Sequence, residues 1–232
     1  MSIAVIDYGA GNLRSVVHAV EHVGLPAVVT NDRRTILSAA GVILPGVGAA
    51  ADTMRNLERH DLVGVVKEVI ASGTPFLGVC MGLQALFTVS EEGGQHPCLD
   101  VLPGRVRRFP PGLSIPHMGW NQVHQVVPHP FFDGVADHAY FYFVHSYYVD
   151  PADRCVVAGE TDYGVVFPSV CIWRNVMATQ FHPEKSGADG LRLYANFGRI
   201  VRGEVPLPDG SGAPAPAASP APAGPIVAGH GS

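Results

Sequence analysis

The chain has 232 residues, 47% of them apolar and only 15% charged, which allows a sizeable core and excludes global disorder. Fifteen Lys and Arg against twenty Asp and Glu leave a formal charge of −5. That is the wrong sign for a nucleic-acid surface, which needs clustered cations to displace counterions. No run approaches the ~18 apolar residues of a membrane span, and the opening Met1–Asp7 lacks the basic stretch and cleavage site of a signal peptide. A cytosolic location is expected.

Residues 3–6 form a short apolar strand that runs into Asp7-Tyr8-Gly9-Ala10-Gly11-Asn12. Leu13, Val16, Val17, Val20 and Val23 then recur at the spacing of one buried helical face. A second strand is expected at Ala27–Val29, an N-cap at Asp32 and a third strand at Gly41–Leu44. A helix follows over Leu62–Ile70, then a fourth strand over Thr74–Val79. Strands and helices alternating at this pitch imply a parallel sheet with crossover helices, the α/β class.

Beyond residue 100 the rhythm changes. Val106–Phe109, Trp120–Val127, Ala139–Val149, Val156–Glu160, Val165–Trp173 and Val176–Phe181 read as strands with little helix between them, an antiparallel extension of the sheet. The dense basic run Arg105–Arg108 reads as a solvated strand edge. A last amphipathic helix is expected from about Ala188 to Val201. Residues 203–232, rich in Pro, Ala and Gly, bury too little apolar surface to offset their ordering entropy, so the domain is taken as 1–202 with a disordered tail over 203–232.

The four cysteines, Cys80, Cys98, Cys155 and Cys171, show no C-x-x-C spacing, and each is judged alone. Cys98, Cys155 and Cys171 read as small core residues. Cys80 differs, because Gly78 and Gly82 stand two residues to either side of it at the junction of an apolar strand and a helix. That is the G-x-nucleophile-x-G elbow with sulfur as the nucleophile. The turn holds its central residue in strained geometry, and side chains two positions away would collide. The helix N-terminus behind it favours negative charge on the sulfur.

Such a nucleophile needs a base and an orienting group. His182-Pro183-Glu184, at the end of the last strand, supplies both, since extended geometry points residues i and i+2 to one side. An oxyanion site is expected from the N–H of Met81 and from Leu44-Pro45-Gly46-Val47-Gly48, whose glycines let backbone N–H groups approach a ligand. The same glycines suit phosphate, but the third glycine of the dinucleotide fingerprint and the lysine of a P-loop are absent. His117, His124, His129, His138 and His145 fit no compact metal-ligand spacing, so neither metal nor cofactor is expected.

P-G-V-G, G-V-C-M-G-L-Q and Q-F-H-P-E-K-S, in that order and spacing, resemble the class I glutamine amidotransferases over about residues 1–202. More narrowly, I-D-Y-G-A-G-N-L-R-S-V, P-H-M-G-W-N and F-V-H-S-Y resemble the glutaminase subunits of imidazole glycerol phosphate synthase. The resemblance implies a three-layer, flavodoxin-like fold. It also implies hydrolysis of glutamine to glutamate and ammonia through a glutamyl thioester. Ammonia would pass to a (β/α)₈ cyclase subunit, in a heterodimer, that makes imidazole glycerol phosphate and aminoimidazole carboxamide ribotide in histidine biosynthesis. By position it makes Cys80, His182 and Glu184 the triad, and Gly46, Val47 and Gly48 the oxyanion strand. Gln84, Glu92, Ser146 and Tyr147 match glutamine contacts, while Asn12, Met118, Trp120, Tyr142 and Lys185 match positions facing the cyclase. Segments H-M-G-W-N and D-Y-G-x-G-N speak against a glutaminase of vitamin B6 synthesis. The intact triad speaks against a catalytically dead scaffold, and Glu184 with Gln84 against a cysteine peptidase. Residues 93–100 depart from the family's pattern.

Overall fold

Apolar runs of four to six residues form the inner strands of a nine-stranded sheet in the computed structural model, which describes residues 2–9 and 11–207. Ala10 and positions 208–232, most of the expected tail, lie outside the described residues. In chain order the first half comprises β1 (Ile3–Ile6), α1 (Leu13–His22), β2 (Ala27–Thr30), α2 (Arg33–Ser38), β3 (Gly41–Gly46), α3 (Ala50–Arg59), α4 (Leu62–Ala71), β4 (Phe76–Cys80) and α5 (Met81–Gln84). There follow β5 (Phe87–Ser90), β6 (His96–Pro97), β7 (Leu102–Arg108), β8 (His117–Gln125), β9 (Ala139–His145), β10 (Tyr147–Pro151), β11 (Val157–Asp162), β12 (Val166–Trp173), β13 (Val176–Thr179) and α6 (Gly187–Val201).

The large sheet runs β2-β1-β3-β4-β13-β12-β11-β8-β9. Its first five strands pair in parallel, and every pairing from β13 outward is antiparallel. This is the α/β class with an antiparallel extension. Alternation along the parallel strands feeds two cores. Ile3, Val5, Ile43, Leu77 and Val79 pack with α1 and α6 on one face, while Ala4, Ile6, Val42 and Leu44 pack with α2, α3 and α4 on the other. Three layers result. Asp32 caps α2 as expected, its carboxylate accepting from Thr35 N at 2.8 Å.

The expected strand Ala139–Val149 is broken. It leaves the large sheet at Ser146, and β10 continues into a second sheet ordered β10-β7-β5-β6. The basic run accordingly lies on an inner strand of that small sheet. Arg105 and Arg107 reach solvent and pair with Glu91 and Asp150, so the run is a solvated face and not an edge. Cys171 and half-buried Cys98 behave as core residues, but Cys155 is exposed on the turn Arg154–Val156. At the chain's described end, Val205 and Leu207 pack against the core shared by α1 and α6. Among the described residues no helix is long and apolar enough to cross a membrane.

Candidate active site

Cys80 ends β4 and caps α5 with φ +55° and ψ −104°, a conformation that L side chains rarely adopt. The glycines around it leave no room for a side chain. A Cβ on Gly82 would stand 2.0 Å from the Leu44 carbonyl oxygen, and one on Gly78 2.9 Å from the Gly82 carbonyl oxygen. Gly46, level with Cys80 across the β3–β4 ladder, is equally confined: its Cβ would meet Met81 Cβ at 2.6 Å and the Tyr8 hydroxyl at 2.9 Å. The elbow is thus built by backbone approach from two strands and the short helix α5.

His182 Nδ1 lies 2.8 Å from Glu184 Oε1, both side chains being almost fully buried. They meet differently from expectation. β13 stops at Thr179, and Pro183–Lys185 forms a 3₁₀ turn that folds the carboxylate back onto the imidazole. Ser186 locks the turn by donating to the His182 carbonyl at 2.6 Å and accepting from Tyr142 N at 3.0 Å. Burial by itself would lower the His182 pKa. Hydrogen bonding and charge from Cys80 and Glu184 overturn that and lift it to about 10, so the ring is held as imidazolium. With Nδ1 taken by Glu184, Nε2 is the ring nitrogen left for the sulfur, and it is buried and makes no hydrogen bond.

Cys80 and His182 open into a cavity of about 350 Å³. Val47, Gly48 and Met81 line it, as do Gln84, Glu92, Ser146 and Tyr147. Gly46 stands behind it, under the elbow. Gly48 has φ +93°, which bends the chain from β3 toward α3. The Glu92 carboxylate accepts from Ala50 N at 2.8 Å, capping α3 while it faces the cavity. Of the positions expected to face a partner, Trp120 and Tyr142 are direct partners across β8–β9, their rings edge-on at 6.2 Å. Lys185 Nζ sits 5.9 Å from the Tyr142 ring, and Met118 is 62% exposed on the same strand as the 55% exposed Trp120. These four gather on one surface, whereas Asn12 stands at the start of α1 and makes no side-chain cap bond.

Sequence reasoning passed over several residues that complete the site. His145 lines the cavity and bonds His117, Nε2 to Nδ1 at 2.9 Å, while its own Nδ1 donates to the Tyr147 carbonyl at 2.8 Å. Burial lowers both, to about 3 for His145 and about 4 for His117, so the pair is neutral. Gln180, fully buried, reaches Cys80 Sγ. Tyr8 packs under the elbow, its hydroxyl pushed up to about 12, chiefly by burial. The available signal for Gln180 was its place two residues before His182 in the Q-F-H-P-E run. Two histidines that sequence spacing kept apart do meet: His124 and His138, with Asp137 beside them, hold ligand atoms within 4.8 Å of one another. All three are exposed, Asp137 is already hydrogen-bonded to His124 and to backbone, and the imidazoles stack at 17° instead of converging.

An elbow thiol, a buried His–Glu pair and a cavity carrying Gln84, Glu92 and Ser146 at the C-terminal ends of parallel strands are the parts of an amide-cleaving thiol enzyme. A family model described as glutamine amidotransferase class-I matches residues 4–200, and the chain belongs to that family. Solved structures carry the same fold: the structure of PurLQS from Thermotoga maritima superposes with a TM-score of 0.70 at 18% identity, covering 86% of this chain and 98% of that one. A crystal structure of a glutamine amidotransferase gives 0.69 at 18% identity, over 88% and 100%. Within the family the chain belongs with the imidazole glycerol phosphate synthase subunits HisH. It is 52% identical over 202 residues to that subunit from Dehalococcoides mccartyi (strain CBDB1), covering 87% of this chain and 98% of the relative. The subunit from Chloroflexus aurantiacus (strain ATCC 29364 / DSM 637 / Y-400-fl) is 54% identical over 202 residues, covering 85% and 95%.

Proposed function

We propose that the chain is the glutaminase subunit of an imidazole glycerol phosphate synthase, with Cys80 the nucleophile, His182 the proton carrier and Glu184 its orienting carboxylate. The observation that carries the reading is the positive-φ cysteine of the elbow facing the same cavity as the buried His182–Glu184 pair. Cys80 sulfur adds to the side-chain carbonyl carbon of glutamine, and the oxygen takes the electron pair as an oxyanion. Backbone N–H groups of Met81 and of the Gly46–Gly48 strand receive it. Imidazolium at His182 gives its proton to the amide nitrogen, the C–N bond breaks, and ammonia leaves behind a glutamyl thioester. Neutral His182 then takes a proton from water, whose oxygen attacks the thioester. Collapse expels the thiolate and frees glutamate. Glu92, Gln84, Ser146 and Tyr147 are assigned to the substrate's amino-acid end. Glu92 offers the negative charge that an ammonium needs.

Hydrolysis is useful only where the ammonia is consumed. The surface cluster of exposed Met118, Trp120 and Lys185 with half-buried Tyr142 is proposed as the face that meets the cyclase, with Asn12 a further contact. Its aromatic and cationic composition is that of an interface centre. The heterodimer, its (β/α)₈ partner and a cytoplasmic location follow from this reading; the tail expected over 203–232 is set outside the catalytic domain except where Val205 and Leu207 lie against its core. The test is an assay of the chain reconstituted with its cyclase and nucleotide substrate. Cys80→Ala abolishes glutamine-dependent synthesis but leaves synthesis from added ammonium salt. Loss of both, or of neither, overturns the assignment.

A further inference from the structure

We propose that Gln180 is a further catalytic residue: its side-chain amide donates an N–H to the Cys80 sulfur and supports the negative charge there, both before attack and when the thiolate is expelled. This rests on the reading of Cys80 as the nucleophile. The orientation of the amide follows from hydrogen-bond chemistry. The Tyr147 carbonyl can only accept, so the Gln84 group 2.9 Å from it is the nitrogen. That same nitrogen lies 3.0 Å from the end of Gln180, and since an amide nitrogen does not accept, the atom there is Gln180 Oε1. Gln180 Nε2 is thereby turned toward Cys80 Sγ, 3.8 Å away, a distance proper to sulfur.

Nothing in this chain of contacts is free to swing. Gln180 is fully buried and Gln84 2% exposed, and the Tyr147 carbonyl that anchors both is held from its other side by His145 Nδ1. A buried amide N–H gains most where its acceptor carries charge. The ionisable groups disposed about Cys80 are His182 with Glu184 behind it, Tyr8 below the elbow, and Glu92, His145 and Tyr147 along the cavity. The sulfur thus faces the His182 imidazolium, whose Nε2 makes no hydrogen bond, and the amide, whose N–H it accepts. The second stays in place after His182 has given up its proton.

The test is the pH dependence of Cys80 alkylation by iodoacetamide in the full chain. It is read by mass spectrometry on the Cys80 peptide, so that Cys98, Cys155 and Cys171 do not contribute. Gln180→Leu moves the midpoint upward by about one pH unit and lowers kcat for glutamine hydrolysis about tenfold with KM nearly unchanged. Gln180→Glu, which sets a carboxylate against the sulfur, moves it further. Should Gln180→Leu not fold, Gln84→Met releases the amide's orientation and gives a smaller shift in the same direction. An unchanged midpoint in a folded variant overturns the proposal and leaves Gln180 a structural amide, whatever its melting temperature. Failure of the nucleophile reading looks different: Cys80→Ala would then keep its glutaminase activity.

Discussion

Substituting Gly82 by alanine isolates the backbone approach on which the elbow depends. The new Cβ would stand 2.0 Å from the Leu44 carbonyl oxygen and 3.1 Å from its carbon. Real Cβ contacts stay above 3.0 Å, so β3 and α5 must part by about 1 Å. Neither atom is the end of a flexible side chain, and both sides of the contact are backbone. Overpacking of this kind costs about 1–3 kcal/mol, which in a domain of this size lowers the melting temperature by roughly 2–12 °C. The same ~1 Å carries the Met81 N–H and the sulfur out of line, enough for about a hundredfold loss of turnover. Gly64 is the control, since it lies exposed in α4 and a Cβ there meets nothing within 4 Å. Gly64→Ala should stabilise by about 0.5–1 kcal/mol and leave glutamine turnover alone. Paired thermal melts and glutaminase assays decide the matter. A Gly82→Ala protein that melts and turns over like the parent would refute the elbow argument.

Two further predictions concern the scaffold. Burial holds His117 and His129 at about 4 and His145 at about 3, below their unfolded value of 6.5, so the unfolded chain takes up protons that the folded chain refuses. Their contribution is complete above pH 6.5 and is lost as pH falls toward 4, at about 1.4 kcal/mol per pH unit for each histidine. Urea midpoints that stay flat from pH 7 to 5 would contradict this. Val205 and Leu207 are half-buried against the core, so ending the chain at Arg202 should cost about 1–2 kcal/mol, whereas ending it at Leu207 should leave the melting temperature unchanged. Equal melting temperatures for the two truncations would show that residues 203–207 hold nothing.

Local pattern sufficed where the chemistry is local. The β4 elbow was legible because glycines at fixed offsets mark a backbone without room for side chains, and the close contacts around Gly46, Gly78 and Gly82 are the physical form of that signal. Helix α3 went unread although Ala50, Thr53, Met54 and Leu57 keep helical spacing, because its buried face carries few large apolar residues. In the Ala139–Val149 run only the polar pair His145-Ser146 interrupts the apolar residues, too short a break to show that the chain changes sheets there. Long-range partners were invisible for a further reason. Gln180 is 96 positions from Gln84, and only the sheet order, which sets β13 beside β4, brings it to the sulfur. The meeting of His117 with His145, and of His124 with His138, depends likewise on the β8–β9 register.

The central claim is that Cys80 attacks the glutamine side chain with His182 and Glu184 behind it. A glutamine-shaped chloroketone, which traps a nucleophile at the position of the substrate's carbonyl carbon, addresses it most directly when the labelled peptide is identified by mass spectrometry. One equivalent on Cys80, blocked by excess glutamine and absent from Cys80→Ala, is the predicted result. Label on Cys98 or Cys155, or labelling of Cys80 that glutamine does not slow, would contradict it.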